Sequence, residues 1–470
     1  LKAKTILQFS IGPIGAALLS LVTLPFVAWF FSVEDVGRLT MLQVVLSLSV
    51  SLFSLAMHQA YVREYHEEDD KQALFKACVI PGLAALLLVS GIIIILPFSM
   101  SKLLFGIDSA LLTFLLLVGV LASFFINFLV HVVRMQERGL VFSATQLAPK
   151  LFLFIFISLI MILNLKADFE TLMLMNILAV FSSLLVFLCL TKDTWLPALK
   201  KSINVVLLKE MLHFSLPLVA GGIAYWGLTT MDRFFLRSLS GFDQLGVYAL
   251  AASIAGSVSV VSSIFSNLWH PILYKWAKSE VDQKKVQRVI DNMIILVAFI
   301  WSLAGVGSFL VPWFLPPQYQ AIEYLLVACI AMPLFYMLSE TTGVGIGITR
   351  RSKYSMYASL SAFLVNFLLN FLLIPNFGAA GAALATVLAF FVFFTFKTEA
   401  SMSLWRKIPR LKMYMIILSY VVATSIMVLT SASLEYFYLI WVVLFTFTCL
   451  LYVSRVFENV IILKNLIIKR

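Results

Sequence analysis

The sequence predicts an all-α polytopic membrane protein of about 14 transmembrane helices: two six-helix repeats and two further C-terminal helices. Three observations carry this expectation. Hydrophobic residues form 62% of the 470-residue chain and charged residues only 12%, more apolar surface than a soluble domain can hide. Basic residues concentrate in alternate connecting segments. Two apolar stretches, far apart in the chain, carry the same polar stripe.

The apolar stretches are each near ~20 residues, the length that crosses hydrocarbon. They run over 5–31, 37–62, 77–99, 110–133, 141–163, 170–191, 211–236, 244–272, 290–311, 320–348, 354–374, 379–396, 413–430 and 436–454. The first reads as a spanning helix rather than a cleaved signal peptide, because it is long and lacks a small-residue cleavage pattern. With the amino terminus in the cytoplasm, cytoplasmic segments hold 28 of the 34 Lys and Arg residues. Outer loops hold only Arg38, Lys102, Lys166 and Arg237, while Lys150 and Arg233 lie within spans. That asymmetry places both termini in the cytoplasm and requires an even number of spans. The net charge of +11 then records topology and calls for no nucleic-acid partner. Cys78, Cys189, Cys329 and Cys449 sit in apolar segments without metal-ligand spacing and read as packing thiols.

The stripe is Ser47, Ser51, Ser54 and His58, at steps of four, three and four. Ser259, Ser263, Ser266 and His270 repeat it at a constant displacement of 212. Such steps put side chains on one helix face, and a polar face inside hydrocarbon must meet protein or water. A duplicated transporter with a wet cavity between its halves fits. The duplication extends further: VEDVGRLTML from Val33 parallels FDQLGVYALA from Phe242, with Gly37 and Gly246 matched at a displacement of 209. About one helical turn is therefore inserted before the second stripe. The basic linker from Lys192 to Lys209 joins the halves, giving lobes at 1–198 and 199–400 and an extra two-helix segment at 401–470. Pro13, Pro25, Pro217 and Pro271, with Gly12, Gly15, Gly221 and Gly222, are either bending points or close-packing positions.

PNFGAAGAALAT from Pro375 and MDRFFLRSLSGFDQLGVYALA from Met231 resemble signatures of the multidrug/oligosaccharidyl-lipid/polysaccharide exporter superfamily. The second is most similar to its polysaccharide branch, the Wzx-type flippases of O-antigen and capsule synthesis. The resemblance covers roughly residues 1–400. It implies a V-shaped pair of six-helix lobes, with the first, second, seventh and eighth spans lining a central cavity. The implied task is moving an undecaprenyl-pyrophosphate-linked oligosaccharide from the cytoplasmic to the outer leaflet of the bacterial inner membrane. A polysaccharide polymerase and a chain-length regulator are the protein partners it suggests.

Such a task needs fixed cations and hydroxyls in a polar path, not a nucleophile, so no catalytic residue, metal or cofactor is expected beyond a coupling Na+ or H+. Lys150 lies about ten residues into its span, ~15 Å from the cytoplasmic end. A charge there costs roughly 2.5–3.5 kcal/mol on insertion scales, so Lys150 is the first candidate for pyrophosphate or an acidic sugar; its alternative is a structural salt bridge. Arg233 and Arg237, four apart, are candidates to receive the headgroup toward the outer side, or interfacial anchors. Asp232 and Glu340 are candidates for the coupling ion, with a Glu340–Lys150 pair as the alternative. His58, His270, Ser51, Ser54, Ser263 and Ser266 are expected to line the cavity, unless the serines bond back to their own helices. Asn366 and Asn370 extend that lining or join helices. The run His66–Asp70 reads as a solvated loop. The rival functions are a multidrug or metabolite efflux antiporter, which would favour acidic cavity groups, and a membrane enzyme of polysaccharide assembly, which the short outer loops disfavour.

Overall fold

A computed structural model describes residues 3–96, 99–164, 166–278, 283–430 and 437–458, with backbone only for 3–10, 267–268, 270–272, 274–278 and 283. Helices account for the described secondary structure. The first ten are α1 (Ala3–Phe30), α2 (Val33–Phe53), α3 (Met57–Glu64), α4 (Lys71–Ile95), α5 (Met100–Phe105), α6 (Ala110–Met135), α7 (Gly139–Ile162), α8 (Phe169–Leu190), α9 (Lys192–Lys200) and α10 (Val205–Leu239). There follow α11 (Phe242–Gly256), α12 (Ser259–Lys278), α13 (Gln283–Gly307), α14 (Ile322–Cys329), α15 (Ala331–Thr342), α16 (Val344–Ile348), α17 (Lys353–Leu404), α18 (Leu411–Thr430) and α19 (Phe437–Leu451).

Twelve described segments are long and apolar enough to cross a membrane. One is the 52-residue α17, which at 1.5 Å per residue is far too long for a single crossing of a ~30 Å core. Its backbone leaves helical geometry at Gly378 (φ 52°, ψ −127°). A Cβ on Gly381 would lie 2.5 Å from the Leu373 carbonyl oxygen, whereas eight residues of straight helix separate their ends by ~12 Å. The chain therefore reverses there, and the expected spans 354–374 and 379–396 are the two arms. With α19, a shorter apolar helix of 15 residues, the described segments match the expected pattern of a multi-pass, all-α protein.

The chain forms two compact units: Leu1–Arg237 with Gly241–Gly246, and Ser238–Ser240 with Val247–Arg470. This contact division falls one long helix after the sequence boundary at 198/199, because α10 packs into the first unit. There Ser215 Oγ donates to Met57 Sδ (3.0 Å), Trp226 Nε1 donates to Ser47 Oγ (3.0 Å), and Arg63 lies over the Phe214 ring (4.4 Å).

Local chemistry explains the helix starts in the first unit. Ser32, Asp70, Ser109 and Asp168 each accept a backbone N–H of the following turn, capping α2, α4, α6 and α8. Asp70 also binds Lys201 at 2.5 Å, and Lys76 donates to the carbonyls of Leu199 (3.1 Å) and Lys201 (2.5 Å). Part of the acidic run thus anchors the linker as well as capping α4. Gly12 and Gly15 are close-packing positions: a Cβ would meet Ser143 Cα at 2.5 Å and Leu147 Cδ2 at 2.8 Å on α7. Gly221 and Gly222 have nothing within 4 Å. Cys78 and Cys329 are buried as expected, whereas Cys189 is exposed, on an apolar helix face of the kind that meets lipid.

Candidate functional site

The first unit contains a pocket of about 500 Å³ between α2, α6, α7 and α8. Gln43, Ser47 and Ser51 line it from α2, Ser123 from α6, Pro149 and Lys150 from α7, and Asn176 from α8. Leu46, Val50, Leu153, Ala179 and Val180 supply apolar wall. Gln43, Ser47 and Ser51 share a face because they are spaced by four. Pro149 has no N–H, so the Thr145 carbonyl loses its usual helical donor one turn before Lys150.

Lys150 is exposed in this pocket and makes no hydrogen bond or ion pair among the described residues. Its expected alternative partner, Glu340, belongs to the second unit and pairs instead with Lys397 (2.6 Å). By sequence Lys397 directly follows the apolar run 379–396 and so counts among the cytoplasmic basic residues; in the structure α17 continues to Leu404 and Lys397 is buried. Further polar contacts join α15 and α16 to α17: Thr342 Oγ1 lies 2.6 Å from Thr398 Oγ1, and Ser401 Oγ accepts from Gly345 N at 2.9 Å.

The first stripe divides. Ser47 donates to the Val44 carbonyl (2.8 Å) and accepts from Trp226, while Ser51 lines the pocket. Ser54 is buried at the end of α2, its hydroxyl without a partner. Leu55 and Ala56 then adopt left-handed conformations (φ 47° and 53°), and the chain restarts as α3. The helical phase is lost there, so His58 is not on the stripe: its ring packs against that of His131 on α6, with centroids 4.9 Å apart.

The second stripe starts immediately after the turn between α11 and α12 and lies wholly on α12. Ser262 faces the packed side, donating to the Pro333 carbonyl (3.2 Å), and Ser263 is exposed and donates to the Ser259 carbonyl (2.9 Å). The Ser266 hydroxyl is buried without a partner. The His270 side chain lies outside the described residues.

The arginines of α10 are engaged by the first unit. Arg233 donates to the Thr229 carbonyl (3.2 Å), and its backbone N–H donates to Asp232 Oδ1 (2.9 Å), on a carboxylate that is itself buried. Arg237 donates to the Leu103 carbonyl and lies 5.7 Å from the Phe242 ring. Arg38 flanks the same ring at 5.1 Å, donates to the Phe105 carbonyl (3.1 Å) and pairs with Glu34 (3.0 Å) and Asp35 (2.7 Å). Arg237 thus caps the last turn of α5. Asn366 and Asn370 are fully buried in the second unit, and Asn370 Nδ2 donates to Asn366 Oδ1 (2.8 Å).

Sequence reasoning missed Gln43, Ser123 and Asn176. Gln43 extends the stripe backward, but its displaced counterpart is Ala255, so a search for duplicated polar positions passes over it.

The fold and this pocket define a class: a multi-pass, all-α membrane protein with a partly polar pocket among the helices of its first unit. The family described as "Polysaccharide biosynthesis protein" matches residues 3–277, and the chain belongs to that family. Among solved structures it is similar to "Lipid II flippase MurJ, inward closed conformation" (15% identity, 96% of this chain and 99% of that chain, TM-score 0.67). It is also similar to "Inward-facing conformation of a multidrug resistance MATE family transporter of the MOP superfamily" (15% identity, 86% and 99%, TM-score 0.56). At this identity the likeness concerns the fold. No curated protein matches the sequence.

Proposed function

We propose that the protein is a flippase that carries an undecaprenyl-pyrophosphate-linked oligosaccharide, an O-antigen or capsule precursor, from the cytoplasmic to the outer leaflet of a bacterial inner membrane. Both termini are cytoplasmic, and alternating access is coupled to Na+ or H+. One observation carries this reading: Lys150, a cation with no anionic partner among the described residues, lines a pocket to which hydroxyl and amide side chains contribute beside an apolar wall. That chemistry suits a phosphate or acidic sugar flanked by sugar hydroxyls. Membership of the polysaccharide biosynthesis family supports the substrate class. An efflux antiporter for organic cations would place an acidic group where Lys150 stands.

The test is Lys150→Ala in cells that depend on the protein for surface glycan. A hydrogen bond to a charged group contributes about 1.5–3 kcal/mol, so translocation falls at least ~tenfold with membrane abundance unchanged, and Lys150→Arg restores part of it. Finished lipid-linked repeat units accumulate on the inner leaflet. Normal surface glycan in Lys150→Ala refutes the assignment; altered drug sensitivity with normal glycan favours the efflux antiporter.

A further inference from the structure

Outside the Lys150 pocket, the first unit holds a second concentration of polar groups. His58 on α3 and His131 on α6 place their rings 4.9 Å apart at an interplanar angle of 46°. His131 Nδ1 lies 2.7 Å from the Asn127 carbonyl. A carbonyl only accepts, so Nδ1 carries the hydrogen and Nε2 is the basic nitrogen of the neutral ring. His58 Nδ1 is buried and has no hydrogen-bond partner. The hydroxyls of Ser54 and Tyr61 and Nδ2 of Asn127, within one turn of these histidines in sequence, are likewise buried and unpartnered.

A buried polar group without a partner calls for an explanation, and a functional role is one of them; here four such atoms gather around one histidine pair. The backbone agrees. Two consecutive non-glycine residues, Leu55 and Ala56, hold the left-handed region, and this break turns His58 off the α2 stripe toward His131. Strain of this kind persists where the surroundings over-determine it and clusters at functional sites.

We propose that His58 and His131 form a proton-binding site, separate from the Lys150 pocket, at which the two imidazoles together take up a single proton. The proton comes from water onto an imidazole lone pair, and no bond in the protein breaks. A second proton would set two cations side by side. The surroundings oppose it further. Arg134 is exposed on α6 close to His131, and Lys71 of α4 lies over the Tyr65 ring (5.0 Å). Arg63 is offset by Glu64 (3.1 Å). Cys78 of α4 is buried, Glu210 and His213 of α10 are exposed, and Lys150 of α7 lines its own pocket. A role for this proton in driving the cycle rests on the flippase reading; the site itself does not.

The chain has five histidines, few enough for ¹⁵N-imidazole NMR on the full-length protein in lipid nanodiscs across a pH series. In the wild type the pair is expected to titrate in two steps separated by more than about one pH unit. His58→Gln moves the His131 midpoint upward, His131→Gln moves that of His58 upward, and His213→Gln moves neither. Two independent single-step titrations in the wild type, or a His131 midpoint unchanged by His58→Gln, overturn the site; the wild-type titration decides even where a variant does not fold. In vesicles, His58→Gln is expected to remove the dependence of transport on a pH gradient. Coupled titration with unchanged gradient dependence keeps the site and refutes its role in the cycle.

Discussion

Gly37→Ala tests the contact between the first turns of α2 and α11. A Cβ on Gly37 would sit 2.0 Å from the Phe242 carbonyl oxygen, and one on Gly246 would sit 2.1 Å from that of Val33. Each contact is the image of the other under the displacement of 209, so the duplicated glycines of the sequence meet in a reciprocal crossing. Ordinary contact begins at 3.4 Å, so a methyl group requires the backbones to part by ~1.4 Å at that point. Overpacking costs about 1–3 kcal/mol. The obstructing atom is backbone and has no rotamer escape, which puts this case near ~3. Alanine's better helix propensity returns about 1 kcal/mol, leaving a net loss of ~2. Parting the helices also loosens Phe242 from Arg38 and Arg237. Thermal unfolding of the purified protein, followed by tryptophan fluorescence, should therefore show Gly37→Ala melting a few degrees early. Gly246→Ala should match it. The double variant should lose less than the sum, because one separation relieves both clashes. Gly221→Ala, with open space around it, should be neutral or stabilising. Melting of Gly37→Ala within a degree of wild type refutes the crossing.

Three further outcomes are expected. Lys397→Met removes the paired cation from the largely buried Glu340 carboxylate and should cost about 3 kcal/mol, most of it recovered with Glu340→Gln, as read by thermal unfolding; a loss below ~1 kcal/mol from the single variant excludes a structural pair. Asp70→Asn keeps a side-chain oxygen that caps α4 about as well but removes the ion pair with Lys201, which should cost up to ~1 kcal/mol at neutral pH. Lys201, with the Ala73 N–H, holds the Asp70 carboxyl below the usual carboxylate range. Its contribution is thus present above that range and disappears as pH falls through the lowered value, so wild type and variant should converge on acidification and not on alkalinisation. In a background lacking Cys78, Cys189, Cys329 and Cys449, cysteines at Ser51 and Ser263 should react with water-soluble thiol reagents; inertness of both would make these faces dry.

The spans were legible because hydrocarbon imposes one strong requirement, an unbroken apolar run of sufficient length. Even the reversal inside α17 was visible, since Pro375 and Gly378 interrupt the run at that point. Lys150 was legible for the complementary reason: a lone charge deep in a span is costly and marks a polar surrounding. Lys397 shows where this logic weakens. It follows the apolar run directly, so hydropathy treats it as loop, and only packing of α17 against α15 shows that it is buried against Glu340.

His58 exposes a different limit. Periodicity assumes a continuous helix, and one break discards the phase of everything beyond it. Glycine, proline or asparagine usually announces such a break. Here the left-handed residues are Leu55 and Ala56, which signal nothing. The second stripe has its break before Ser259, so the two copies are alike in sequence and unlike in geometry. The 212-residue spacing identified polar residues worth keeping, but not their surroundings. Ser47 and Ser51 reached the Lys150 pocket, whereas His58 reached His131, a partner with no place in the repeat argument. Duplication is therefore good evidence that residues descend together, and weaker evidence that they still act together once a local break has changed what each one meets.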